Sequence, residues 1–143
     1  MADEQTLEGS RNPAVPPNCI SPALDGAYPA GSVVRSNGTA GASTQAAANV
    51  AASARAIGIM LHATSAAGDH ALVQYAGVVT LPTAAWDAIA GTSGGLTPNT
   101  PYFLSNTLGH LATSAGTVAV QIGIALSPTA LMLQIEKSPS VNP

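Results

Sequence analysis

Charged and aromatic side chains are both scarce in this chain of 143 residues, at 8% and 3%. A typical soluble domain is about 25% charged, so this surface carries few of the charges that keep folded proteins apart in solution. With one Trp and one Phe, the core must be built from aliphatic and small side chains rather than from the large areas that aromatics bury. Cysteine is limited to Cys19, which excludes an intrachain disulfide and a cysteine-paired zinc or redox motif; it reads as an inert thiol. Cations are few as well. Arg11, Arg35, Arg55 and Lys137 are scattered through a chain of net charge −3, so the basic patch that phosphate neutralisation requires is missing and nucleic acid is not an expected partner. No window offers the roughly 18 consecutive apolar residues that cross a bilayer, so no membrane contact is expected. The opening Met1-Ala2-Asp3-Glu4-Gln5 is acidic, without the basic and apolar regions of a secretory signal, so cytoplasmic synthesis without export is expected.

What the chain does have is aliphatic pattern. It is 46% hydrophobic, with Val, Ile and Leu gathered in periodic segments, which is the composition of a folding chain rather than a disordered one. The length suits one compact domain. A core-forming chain with so bare a surface is expected to be a non-enzymatic β-sheet protein that packs against other subunits.

Residues 1–22 contain Pro13, Pro16, Pro17 and Pro22 and follow neither helical nor strand periodicity, which predicts an extended N-terminal arm. The arm is either a disordered terminus or a strap over a neighbouring subunit. For the strap, Leu7, Val15 and Ile20 are candidate apolar anchors, with Arg11 as a further subunit contact. The β domain is assigned to residues 23–137 and a C-terminal tail to residues 138–143.

Within the domain, Val118, Val120, Ile122, Ile124 and Leu126 alternate with Ala119, Gln121, Gly123 and Ala125, a strand pattern of period two. After the turn Ser127-Pro128-Thr129, Leu131, Leu133 and Ile135 return on one face, completing a hairpin. The small residues opposite the 118–126 stripe suggest that its second face is covered too. An earlier hairpin pairs residues 56–62, with Ile57, Ile59 and Leu61 on one face, with residues 71–81, where Val73, Tyr75, Val79 and Leu81 share a face around Gly77. Val34-Arg35-Ser36-Asn37 matches Phe103-Leu104-Ser105-Asn106, and Ile57-Gly58-Ile59-Met60-Leu61 matches Ile122-Gly123-Ile124-Ala125-Leu126. These matches predict two similar hairpin units that differ by a loop insertion or deletion. The glycine inside each Ile-Gly-Ile run marks a bulge or the close approach of another backbone, and either suits a small barrel. Residues 46–56 are rich enough in Ala for a helix but are read as a loop. Residues 82–90 predict one short helix with Thr83 as its cap, in which Trp86 plugs one end of the barrel or faces a partner.

Residues for chemistry are sparse. There is no nucleophile elbow, and Gly91-Thr92-Ser93-Gly94-Gly95 lacks the Lys-Ser/Thr ending of a phosphate-binding loop. The domain's acids, Asp25, Asp69, Asp87 and Glu136, do not suggest the paired carboxylates of a glycosidase. His62, His70 and Asp69 could meet at the first hairpin as metal ligands, but they read as polar residues at a strand end and a loop, and His110 as part of a Gly109-His110 turn. No cofactor or metal is expected. Asn37-Gly38-Thr39 matches a glycosylation sequon and is read as a turn.

Two stretches resemble a known family. Residues 56–63 with Ala66-Ala67-Gly68-Asp69 and the strand from Leu72 to Val78 look like the central hairpin of tailed-bacteriophage head decoration, or cement, proteins. Residues 94–105 with residues 121–127 are similar to a module found in phage head and tail appendages. The resemblance implies an all-β protein, a small β-barrel or β-tulip, that binds the major capsid protein on the outside of the virion as a homo-oligomer, often a trimer, and stabilises the shell. A tail-fibre or baseplate appendage domain with receptor or glycan binding is the alternative.

Overall fold

The computed structural model describes residues 15–39 and 41–137. The chain is mainly β, with eleven strands in two sheets and one helix among these residues. In chain order the strands are β1 (Cys19–Ile20), β2 (Ala23–Leu24), β3 (Val33–Ser36), β4 (Ala42–Gln45), β5 (Gly58–Met60), β6 (Val73–Gln74) and β7 (Val78–Thr80). After helix α1 (Thr83–Ala90) come β8 (Pro101–Leu104), β9 (Leu111–Ala112), β10 (Val120–Ser127) and β11 (Ala130–Lys137). The first sheet runs β1-β6-β5-β3-β4-β2 and the second β7-β11-β10-β8-β9. Closure into a barrel is not among the pairings of the described residues. No described helix is long and apolar enough to cross a membrane.

The two orders are the same pattern used twice. In the first sheet β3 turns into β4, pairs with β5 on its other side, and β5 pairs with β6, which takes β1 at its edge. In the second sheet β8 turns into β9, pairs with β10, and β10 pairs with β11, which takes β7 at its edge. The ladders match residue by residue: Ile59 opposite Gln74 corresponds to Ile124 opposite Met132, and Gly58 opposite Val34 to Gly123 opposite Tyr102. Even the edge entries agree, since Tyr75 N–H donates to Asn18 O as Leu133 N–H donates to Gly77 O, and both acceptor residues have positive φ. The duplication expected from the sequence is therefore present, but its first match was one residue out of step. Asn37, not Ser36, corresponds to Ser105: their side chains accept the N–H two residues on, Thr39 and Thr107 respectively. Letter identity follows Ser-Asn, whereas the ladder follows the residue that holds the turn.

The predicted hairpin around Ser127 is found, with Leu131 and Leu133 buried. The strict alternation along residues 118–126 is not. Register shifts at Gln121/Gly123 and Ala125/Ser127 are bulges that break the period. They leave Ile122 and Ala125 inside, and Leu126 52% exposed. The expected cover over the second face is met only at Gly123 and Ala125, which the bulge turns inward. The segment from residue 71 to residue 81 also differs from expectation. It bends at Gly77, with φ 81°, so that β6 lies in one sheet and β7 in the other, and Tyr75 at the bend is 47% exposed.

The main core lies between the sheets. Val33 and Ile59 of the first sheet meet Val79, Tyr102, Leu104, Ile122 and Leu131 of the second, with Trp86 and Ile89 from α1. The Ala-rich segment forms this joint. Ala46, Ala47 and Ala48 are completely buried and share backbone hydrogen bonds with both units: Ala46 N–H donates to Val33 O, Gly109 N–H to Ala46 O and Ala48 N–H to Ser105 O. Buried backbone must be paired, and only small side chains leave room for such pairing between layers. A single 3-10 turn, Ala52–Ala54, is all the helix this segment forms.

Candidate subunit-contact face

The two units stack face to back. In the first sheet, Val33 and Ile59 point into the main core, while Val34, Met60 and Val73 point the other way and are covered by Leu24, Ala71, Tyr28 and Ile57. In the second sheet the counterparts of the covered back, Tyr102, Ala125 and Leu131, supply the main core. The counterparts of Val33 and Ile59 are Pro101 and Ile124, and they lie on the outside.

That outer face carries a registered row across four strands. Val78 pairs with Met132, Met132 with Ile124, and Ile124 with Pro101. Val78 is 44% exposed, Leu126, two residues along β10 from Ile124, is 52% exposed, and Met132 and Ile124 are half-buried. Gln121 and the half-buried Phe103 form a second row, ended by Glu136. An acid appears only at that end, so desolvating the face costs little. In the first unit, the equivalent row buries Val33 and Ile59 completely beneath the second sheet.

The residues singled out from the sequence do not gather here. Leu7 and Arg11 lie outside the described residues. Val15 is half-buried at their start, and Ile20 is 39% exposed on β1, the edge of the first sheet. Trp86 corrects an expectation: it is completely buried and its Nε1–H donates to Thr129 O at 2.9 Å, so it locks α1 onto the β10–β11 turn and has no face left for a partner. Thr83 is likewise not the cap. It is the first helical residue, preceded by Pro82 with no side-chain cap bond, and the Pro82 carbonyl takes the Ala85 and Trp86 N–H groups.

His62, His70, Asp69 and Asp87 have structural partners. His62 Nε2 accepts the Leu72 N–H and His70 Nδ1 lies 2.6 Å from Ser21 O. Asp69 Oδ2 takes Ser65 N–H, Ser65 Oγ–H and Ala66 N–H, bonds that hold its carboxyl below the usual range. No group of three metal-ligating side chains occurs among the described residues. Asp87 similarly ties α1 to the glycine loop, accepting from Thr92 Oγ1 at 2.7 Å, Gly95 N at 2.7 Å and Gly94 N at 3.1 Å. The outer row is not evident in the sequence because Ile124 falls by period two in the same stripe as Val120 and Ile122; the glycine between the isoleucines is the one sign that the alternation breaks. No protein-family model matches the sequence, and no curated protein matches it.

Proposed function

We propose that this chain is a structural virion protein that binds the major capsid protein on the outside of a tailed-phage head and stabilises the shell, without catalysis and as a homo-oligomer, a trimer being favoured. The observation that carries the reading is the bare row Val78, Met132, Ile124 and Pro101. It is apolar, nearly free of charge, and built like the row that the first unit already buries against a sheet. Such a face can be desolvated cheaply, and weak contacts repeated over a lattice sum to a tight attachment. The sequence resemblance supplies the choice of a phage head.

The test is the copy number and position of the chain on intact particles. Lattice-wide occupancy of the head supports the reading; a few copies confined to the tail replace it with an appendage role, and absence from particles ends both. Sedimentation of the purified chain as a monomer removes the trimer.

A further inference from the structure

Half of the chain's four Lys and Arg residues line one open pocket of about 360 Å³ at the end of β3. Arg35 and Ser36 enter it from β3 and Arg55 from the loop after the 3-10 turn, with Asn37 and Gly38 from the β3–β4 turn. No acidic side chain is among the lining residues. The nearest acid in the hydrogen-bond network is Asp25, whose Oδ2 accepts from Asn37 Nδ2 at 3.2 Å and whose Oδ1 is held by the Tyr28 hydroxyl. The turn's own groups are committed: Gly38 N–H donates to Ser36 Oγ at 3.2 Å and Thr39 N–H to Asn37 Oδ1 at 2.7 Å.

Arg35 is the unsatisfied member. Its Nη1 donates to Ser36 O at 3.0 Å, while its Nε is buried with no hydrogen-bond partner among the described residues. A guanidinium presents Nε–H beside one terminal N–H₂ as a flat fork that matches the two oxygens of a carboxylate. No described protein group takes the Nε–H of that edge. A second arginine lining the same pocket raises the electrostatic cost of the empty pocket and lowers that of an anion inside it. Ala52 and Ile57 complete the wall and suit the carbon skeleton of an organic acid better than a bare inorganic ion.

We propose that this pocket binds a small organic carboxylate, its oxygens meeting the Nε edge of Arg35 and the guanidinium of Arg55. The site lies apart from the outer face of the second sheet and stands independently of the capsid reading. Succinate titrated into the full chain at constant ionic strength, followed by the NMR resonance of Arg35 Nε–H and by calorimetry, is the test. Saturable binding is expected, with a downfield shift of that resonance. Arg55→Gln, on an exposed loop, should weaken binding at least tenfold, and Arg35→Lys, which keeps the charge but loses the fork, should weaken it similarly. The proposal is overturned by no saturable binding, by equal binding in Arg55→Gln, or by binding of inorganic phosphate with none of succinate.

Discussion

Gly58 and Gly123 occupy the same place in the two sheets, and each is glycine for the same reason. A Cβ at Gly58 would strike the Gln74 carbonyl oxygen, and one at Gly123 the Met132 carbonyl oxygen, where Gln74 and Met132 are themselves equivalent in the ladders. The clash is with backbone, which has no rotamer to yield.

Gly58→Ala and Gly123→Ala should therefore each destabilise the fold by about 1–3 kcal/mol, the usual cost of forcing an extra carbon into a packed site. Urea denaturation checks it. Unchanged midpoints for both variants would show that the close approach is not what fixes these glycines.

Trp86→Phe should cost about 0.5–1.5 kcal/mol, because the Thr129 carbonyl loses one of two donors and keeps the Leu81 N–H, and Trp86→Ala should extend the loss to about 3–5 kcal/mol through the cavity left behind. Thermal unfolding of the two variants measures the step. If Phe matched the wild type, the indole bond would be of no consequence to the lock between α1 and the hairpin turn.

Acid should loosen the α1–glycine loop junction. The Thr92 hydroxyl and the Gly95 and Gly94 N–H groups hold the Asp87 carboxyl below its ordinary value, so the folded state favours the ionised form. Its stabilisation is present above the unfolded carboxylate range, about 4, and is lost as pH falls through the lower folded value. Melting temperature against pH should fall on acidification, and less steeply in Asp87→Asn. Parallel curves would assign the acid sensitivity elsewhere.

On the outer face, the pair Val78→Lys and Leu126→Lys should leave stability within about 1 kcal/mol, as exposed substitutions do, while particle association drops at least tenfold. Co-sedimentation with stripped heads reads it. Retained binding would move the contact to another surface.

Much of this architecture was legible in advance, because strands announce themselves by alternation and duplicated strands by repetition. The β10–β11 hairpin, the short α1 helix and the paired Ile-Gly-Ile runs could all be read from residue order. What could not be read was which side each residue would face once a bulge intervened. One extra residue on β10 between Gln121 and Gly123, opposite β8, exchanges inside for outside, and residue order does not mark where a ladder slips: Gly58 meets the same close backbone with no slip at all. Trp86 was misjudged for a related reason: a large side chain on a short helix is silent about whether a sheet lies over it. The Ala46–Ala48 joint was legible as a loop, but its burial depends on carbonyls far along the chain.

The nose-to-tail setting of the two layers gives the molecule a sense, like an arrow. Its forward end, sealed by Leu24 and Tyr28, has no bare sheet to offer the uncovered end of another copy, so growth into an endless column by repetition of the internal contact is blocked.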